Sequence, residues 1–162
     1  LATGASSTMS SDLWSFSLDT YARPGLEPAC LRLQDAGANV CLLLCAAWLG
    51  ERGVACTPQR LQQLQHVAQP WYSDVVLPLR ALRSQWKVAA VTDASLGALR
   101  AQVKTLELEA EKQLLLRLEN SAREWPTGQR NDLTLWLEGM AADAANLDRD
   151  ALHQLRVALT VA

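Results

Sequence analysis

The chain has 162 residues, of which 49% are hydrophobic and 20% are charged, and its net charge is −2. It contains 30 Leu and 25 Ala but no Ile, which favours helices because strands draw on β-branched and aromatic residues. The hydrophobic content excludes a disordered chain, and four cysteines are too few for a disulfide scaffold. Without a positive net charge, binding to DNA or RNA is not expected. We therefore expect an all-α protein with a single domain.

The first residues and the longest apolar run bear on the location of the protein. The sequence LATGASST at 1–8 lacks the basic region and the hydrophobic run of a signal peptide, so we expect it to be disordered or an expression remnant that precedes Met9. The apolar run VCLLLCAAWL at 40–49 is about half as long as a membrane span must be. Cysteines without an export signal are expected to stay reduced. These features predict a cytoplasmic protein whose domain covers residues 9–162.

Capping residues and prolines divide the chain into about six to seven helices. Ser11, Asn39 and Thr57 are typical N-caps, because their side chains can accept hydrogen bonds from the first free backbone amides. Pro70 is expected to end or kink one helix and Pro78 to bend the next, since an interior proline removes a hydrogen bond and crowds the preceding turn. The predicted helices are 12–22, 27–36, 40–52, 58–88 in two segments that meet at Pro70, 95–123, 132–145 and 148–161.

Two of these helices organise the predicted bundle. The helix at 40–52 is apolar on nearly every side, so we place it at the centre of the core. The long helix at 95–123 begins with a heptad pattern that shifts halfway along. This shift predicts that the helix packs on the bundle at one end and projects, or pairs with another helix, at the other. The pattern consists of Leu96, Leu99, Val103, Leu106 and Ala110, followed by Leu114, Leu115 and Leu118.

The sequence offers little that is typical of catalysis or metal binding. It contains no nucleophile elbow, P-loop or dinucleotide-binding fingerprint, so no cofactor is expected, and a non-enzymatic protein is favoured over an enzyme. Four cysteines are a candidate metal-binding cluster, but they lack the closely spaced loop pairs of structural zinc sites, so we expect no metal and buried free thiols. These four residues are Cys30, Cys41, Cys45 and Cys56.

Two carboxylates in the long helix also require interpretation. Glu107 and Glu111 lie one helical turn apart, as a general acid–base pair would. Glu109 between them and Lys112 beyond them are typical of a helix face in solvent. We therefore expect all four side chains to be solvated.

One segment combines aromatic and basic residues. Trp, Tyr and Arg are the residue types that dominate interface hot spots, so this segment is our predicted partner-binding surface. In the alternative interpretation, the tryptophans belong to the core and the arginines face water. The local charge excess is four, because five basic residues between 80 and 104 accompany one acid, Asp93. The candidate contact residues are Trp71, Tyr72, Arg80, Arg83, Trp86 and Lys87, and the basic residues further along are Arg100 and Lys104.

Several motifs resemble a known family. Residues 9–53 contain LWSFSLDTYARPG, ACLRLQD and the helix N-V-x-L-L-L-C-x-x-W-L, and residues 75–87 read VVLPLRALRSQWK. These motifs resemble a family of small proteobacterial proteins, common in pseudomonads and vibrios, that is catalogued as a conserved domain of unknown function. The resemblance covers about residues 9–120, and the tail with the helices at about 131–161 is where such proteins differ most. It implies a bacterial cytosolic helical protein and brings no catalytic residue, cofactor or substrate. Relatives are expected to have Asn where Cys41 stands, which argues further against a metal site.

These observations favour a non-enzymatic helical interaction module, a regulator or adaptor of a larger bacterial complex. We expect it to contact a protein partner, or a second copy of itself, through the region 71–104 or the exposed end of the long helix. The alternative is a small-molecule-binding or enzymatic helical domain with a closed apolar pocket beside helix 40–52. That pocket would be lined by some of Cys41, Cys45, Trp48 and Trp71.

Overall fold

The computed structural model describes residues 12–160, and every regular element in that range is helical. The predicted all-α, single-domain architecture is confirmed. The expected remnant at 1–8, the start at Met9 and the Ser11 cap lie outside the described residues. The helices are α1 (Leu13–Tyr21), α2 (Leu26–Asp35), α3 (Val40–Glu51), α4 (Pro58–Trp71), α5 (Leu77–Gln85), α6 (Ala94–Ala122), α7 (Leu133–Ala141), α8 (Asp143–Leu147) and α9 (Arg149–Thr160).

Side-chain caps begin several of these helices. Asn39 caps α3 through a 2.9 Å bond to its Oδ1 from the backbone N–H of Cys41, and Thr57 caps α4. Asp93 caps α6, and Asp12 caps α1. The helix starts at 40 and 58 therefore follow from the sequence, because a short polar side chain stands just before each apolar stripe.

Helix α3 lies at the centre of the core, as predicted, and residues 41–50 along it are all buried. Helix α7 packs along α3, and a Cβ added at Gly50 would lie 2.8 Å from the Cα of Leu133, so the two backbones can approach only because residue 50 is glycine. Trp136 on α7 is fully buried and donates a 2.8 Å hydrogen bond from Nε1 to the carbonyl of Val54. Within residues 12–160, no helix, α3 included, has the length and apolar content to cross a membrane.

The long helix α6 changes surroundings halfway along its length. Its C-terminal half contributes Leu114, Leu115 and Leu118 to the main core, whereas its N-terminal half packs against α5. Of the described residues, none between 73 and 113 belongs to the main core. We call α5 and residues 94–111 of α6 the hairpin, and the remainder of the bundle the body. The shift in the heptad pattern thus marks the boundary between the two.

The backbone departs from the prediction at Pro70. This proline lies inside α4 and does not end it, and helical turns continue from α4 into α5. The distortion comes later, in a π-helical turn at Tyr72–Val76, where the N–H of Leu77 bonds to the carbonyl of Tyr72. A π turn holds one residue more than an α turn, and this widening makes room for the ring of Pro78, which would crowd a carbonyl in the preceding α turn. The distortion is therefore a π turn that ends just before Leu77 and Pro78, in place of the bend predicted at Pro78.

The C-terminal tail is also divided differently from the prediction. The helix expected at 132–145 breaks at Ala142, which has φ 50° and ψ −125°. Alanine rarely adopts a positive φ, so no pattern in this part of the chain predicts the break. Helix α9 then follows close to its predicted position.

Candidate functional site

Trp71, the first of the predicted contact residues, lies where α4 meets the base of the hairpin. Its Nε1 donates a 2.8 Å hydrogen bond to the carbonyl of Ala110, and the guanidinium of Arg117 lies 3.7 Å from the centre of its ring. The ring is half-buried and packs against the main core. Trp71 therefore fastens α4 to α6.

The two predicted contact arginines of α5 are engaged in ion pairs. Arg80 donates to the Tyr72 hydroxyl at 3.1 Å, to Glu107 at 3.1 Å and to Glu111 at 3.2 Å. Arg83 donates to both carboxylate oxygens of Glu107. We call Arg80, Arg83, Glu107 and Glu111 the ion-pair cluster. The alternative interpretation, in which the arginines face water, is therefore wrong for Arg80 and Arg83.

The expectation that Glu107 and Glu111 belong to a solvated face is wrong. Glu107 is 7% exposed and Glu111 is half-buried, because α5 lies directly against this face of α6. Glu109 is exposed as expected, and Lys112 lies over the ring of Trp14 at 5.4 Å. Spacing along α6 shows which of its residues are neighbours, but it does not show which helix covers them.

Burial and pairing shift the pKa values of the two carboxyl groups in opposite directions. Burial disfavours the charged form of Glu107, but hydrogen bonds from Arg83 and Arg80 outweigh this and lower its pKa. Burial raises the pKa of Glu111, and the neighbouring charge of Glu107 adds to the rise. The arginines therefore stabilise the charged form of Glu107, which contacts both of them, whereas the charged form of Glu111 is disfavoured.

The remaining predicted contact residues lie at the tip of the hairpin. Trp86 is half-buried, Lys87 is exposed, and Lys104 is exposed on α6. Arg100 donates a 2.8 Å bond to the carbonyl of Arg83, which turns its side chain toward α5. Glu107 and Glu111 add two acids to this side of the hairpin, so its excess of four positive charges falls to two. The predicted surface is thus less basic than the sequence indicates.

The opposite side of the hairpin has a different character. Arg80 and Arg83 share one face of α5, and Lys87 follows just after the helix ends, while residues three and four positions apart on the other face of α5 are uncharged. Helices α5 and α6 run antiparallel, and the ion-pair cluster lies on one side of the pair. The faces of α5 and α6 that point away from the cluster therefore lie together on the opposite side, or flank, of the hairpin. Between residues 78 and 106 this flank holds no charged side chain, and the next position along its α6 stripe is the exposed Glu109. We call this flank the uncharged flank, and its residues are Pro78, Ala81, Leu82, Gln85, Ser95, Ala98, Leu99, Gln102, Thr105 and Leu106.

Every residue of the uncharged flank is exposed. Leu82 is 38% exposed, Leu99 is 50% exposed and Leu106 is 55% exposed. The periodicity of the sequence assigns these three leucines to packing stripes and does not predict the flank. The signal that could have revealed it is charge segregation, because Arg100 and Lys104 are the charged residues between 94 and 106 and lie one turn apart on a single face.

The four cysteines are free thiols. Cys30, Cys41 and Cys45 are buried, and burial raises the pKa of Cys30 to about 12. Cys56 is half-buried, and burial raises its pKa to about 11. Across residues 12–160, no three His, Cys, Asp or Glu side chains form a group that could hold a metal ion. The cysteines are therefore protonated packing residues at neutral pH.

A groove of about 1430 Å³ lies at the C-terminal end of α3, away from the hairpin. Cys41, Cys45, Trp48 and Trp71, the lining predicted for a pocket beside this helix, lie elsewhere. The groove is open to solvent and mixes apolar with charged side chains. Its lining includes Leu133, Val157, Leu159, Arg23, Glu51 and Arg130.

The match to a known family covers about the first two thirds of the chain. A family model described as a protein of unknown function, DUF2390, matches residues 12–118. A domain of unknown function over nearly this range is what the sequence motifs predicted. No curated protein and no solved structure matches the chain. The match includes the whole hairpin, whereas α7, α8, α9 and much of the groove lie beyond it.

Proposed function

This chain belongs to the DUF2390 family of proteins of unknown function, and we propose that it is a non-enzymatic interaction module that docks a protein on the uncharged flank of its hairpin. One observation carries the proposal. Leu82, Leu99 and Leu106 lie exposed on one flank of the hairpin that holds no charged side chain between residues 78 and 106, whereas many leucines of the body are buried around α3. Exposed apolar patches of this kind mark protein contact sites, and interface centres are depleted of charged residues.

The ion-pair cluster supports this role because it fixes the flank from behind. Arg80 and Arg83 hold Glu107 between them, so α5 and α6 keep one register. A flank that is already ordered loses less conformational entropy on binding than a flexible one. In this proposal the predicted contact residues Arg80 and Arg83 position the surface, and Trp86 and Lys87 lie at its end.

The family match agrees with a role for the hairpin. All ten residues of the uncharged flank lie within the matched range 12–118, whereas the groove draws much of its lining from residues after 127. We further propose that the protein acts as an adaptor or regulator in the bacterial cytoplasm. The family resemblance and the free cysteines support that compartment.

Site-specific photo-crosslinking in cells tests the proposal. A photoreactive amino acid at position 99 is expected to give a discrete covalent adduct, because this position faces the partner. Leu108 provides a matched control, since it is 53% exposed on the same helix but lies away from the uncharged flank. The same adduct from both positions, or none from position 99, would contradict the proposal.

A second candidate function is small-molecule binding, which the groove beside α3 favours. Its volume lies above the usual range for ligand pockets, and Leu133 and Leu159 give it an apolar wall. The substitution Val157→Trp places a large ring in the groove from a position that is already 43% exposed. A ligand that raises the melting temperature of the wild type is expected to lose this effect in the variant. An equal shift in both proteins would place the ligand elsewhere.

A further inference from the structure

We propose that the loop between α5 and α6 is a membrane-contact site, which enters the surface of a bilayer that contains anionic phospholipids. We call residues 86–92 the connecting loop. This loop lies at the end of the hairpin and shares no residue with the uncharged flank, so the membrane contact is additional to the proposed function.

Two valines make the connecting loop apolar. Val88 is 83% exposed and Val91 is 82% exposed, which is more than any other large apolar side chain in residues 12–160. A short 3-10 helix at Ala89–Val91 places the two valines three residues apart, and side chains at that spacing lie on the same side of a 3-10 turn. Ala89 is exposed between them. The hairpin therefore ends in an apolar point.

The backbone of the connecting loop suits an apolar surrounding. The N–H groups of Ala90, Val91 and Thr92 donate to carbonyls of the same loop, at 3.0, 3.2 and 3.3 Å. A backbone N–H that enters lipid without a partner has a large free-energy cost, because no water replaces its hydrogen bond there. With these internal bonds, the loop can enter the bilayer surface in the shape that it has in water.

Charge is distributed so that the end of the hairpin is positive. Residues 84–106 contain Lys87, Arg100, Lys104 and one acid, Asp93, which gives this segment a net charge of +2. The whole chain carries −2, so the remainder carries −4. Anionic phospholipids attract the segment and repel the remainder, and this difference turns the connecting loop toward the membrane.

The basic side chains near the loop are available to lipid phosphates. Lys87 and Lys104 are exposed and Arg100 is half-buried, and none of the three forms an ion pair with a carboxylate of residues 12–160. Long basic side chains can reach the headgroups while their stems lie along apolar surface. The carboxylate of Asp93 accepts a 3.1 Å bond from the N–H of Leu96 at the start of α6, where the helix dipole offsets its negative charge.

A bilayer fits the connecting loop better than a protein does. A standard protein interface uses about 20–30 residues from each partner, and this loop has seven. The loop projects as a point, so a protein would need a matching pocket, whereas a bilayer accepts apolar side chains of any shape. Trp86 at the start of the loop is half-buried, and tryptophan is enriched at the boundary between lipid and water. Since only two valines enter the bilayer, we expect the contact to be weak and reversible.

The first test is flotation of the full chain with vesicles. The wild type is expected to bind vesicles of phosphatidylglycerol and phosphatidylcholine in equal parts at least about tenfold more tightly than vesicles of phosphatidylcholine alone. Val88→Asp is expected to weaken this binding at least about tenfold, because a carboxylate then enters an apolar layer beside anionic headgroups. Leu147→Asp makes the same kind of change at a 72% exposed position of the body and is expected to leave binding unchanged.

Circular dichroism checks that both variants keep the wild-type helix content. A wild type that does not float with the anionic vesicles, or equal weakening by the two variants, would overturn the inference.

The second test measures the contribution of charge. Lys87→Gln is expected to weaken binding to the anionic vesicles about fivefold, because it removes one positive charge from the loop. Arg156→Gln removes the same charge from the exposed surface of α9 and is expected to change binding less than about twofold, since charges far from the lipid are screened. Equal weakening by both substitutions would show that the end of the hairpin is not the part that meets the membrane.

The third test reports the surroundings of the loop directly. Val88→Cys carries an environment-sensitive fluorophore, whose emission is expected to shift to shorter wavelength when the anionic vesicles are added. Leu147→Cys with the same fluorophore is the control and is expected to show no shift, and the wild type treated in the same way corrects for labelling of the half-buried Cys56. No shift at position 88, or the same shift at both positions, would contradict insertion of the loop.

A protein partner for the connecting loop would give a different outcome. A photoreactive amino acid at position 88 would then form an adduct with a protein in cells, while the purified chain stayed free of anionic vesicles. That pair of results would overturn the membrane contact and assign the loop to a protein. Crosslinking at position 99 is read independently, so the proposed function can stand or fail without it.

Discussion

Helices α3 and α7 in the body are joined by apolar side chains, whereas helices α5 and α6 in the hairpin are joined by ion pairs as well as by apolar side chains such as Val103. Between α3 and α7 lie Trp136, Leu137 and Met140, each no more than 3% exposed. Between α5 and α6, the corresponding places are taken by Arg80 and Glu107. Apolar burial stabilises in proportion to area and has little directional preference, while an arginine–carboxylate pair requires one geometry.

This difference explains how leucines on the hairpin can remain exposed. A buried ion pair contributes little net stability, because desolvation offsets much of the attraction, but it fixes the register of the two helices. The hairpin therefore holds its shape without using Leu82, Leu99 and Leu106 for its own core. We expect the hairpin to have lower local stability than the body, because segments with few buried apolar contacts open first.

The largest expected effect separates the two regions by their tryptophans. Trp136→Ala removes a fully buried ring and its hydrogen bond to Val54, so we expect a loss of about 3–5 kcal/mol in the free energy of unfolding. The matched substitution in the hairpin, Trp86→Ala, is expected to cost less than half as much, since this ring is only half-buried. Urea denaturation followed by circular dichroism measures both. Equal losses in the free energy of unfolding would show that the hairpin depends on buried apolar side chains as much as the body does.

A smaller effect is expected from the ion-pair cluster. Glu107→Gln keeps the shape of the side chain but leaves Arg80 and Arg83 without their shared charge, at a local cost of about 1–3 kcal/mol. Hydrogen exchange by mass spectrometry is expected to show faster exchange in α5 and in residues 94–111, with the body unchanged. Glu109→Gln, on the exposed side of α6, is the control and is expected to leave both regions unchanged. Faster exchange throughout the chain would contradict the separation.

The same cluster makes the hairpin sensitive to acid. The pKa of Glu107 lies below the ordinary value of 4.5, so its contribution to stability is present above that pH and is lost as the pH falls toward its folded-state pKa. Exchange in the hairpin, corrected for the intrinsic effect of pH, is expected to accelerate below pH 4.5 before exchange in the body does. Glu111, whose pKa is raised, acts in the opposite direction because its charged form is the disfavoured one. Glu111→Gln is therefore expected to make the acid loss larger, and a smaller loss would contradict these directions.

The body could be predicted from the sequence and the hairpin only in part. Caps at Asn39 and Thr57 and the all-apolar run of α3 act within a few residues, so local patterns predict them. The shift in the α6 pattern likewise predicted where the long helix leaves the core. The ion-pair cluster joins residues about 30 positions apart, and Glu107 shows the same spacing whether it faces water or α5. The break at Ala142 was unpredictable for a different reason, since alanine gives no signal for a positive φ.

The smallest expected effect is that of an alanine-to-glycine substitution on the free energy of unfolding. We expect opposite signs at Ala142 in the body and Ala101 in the hairpin. At φ 50° and ψ −125° its Cβ is strained, so Ala142→Gly is expected to raise the free energy of unfolding by about 1 kcal/mol. Ala101→Gly, on the exposed surface of α6, relieves no strain and is expected to lower it by about 1 kcal/mol, because glycine is a poor helix former. Thermal denaturation of the two variants compares them directly. A lower free energy of unfolding in Ala142→Gly would mean that the backbone at Ala142, between α7 and α8, is not strained.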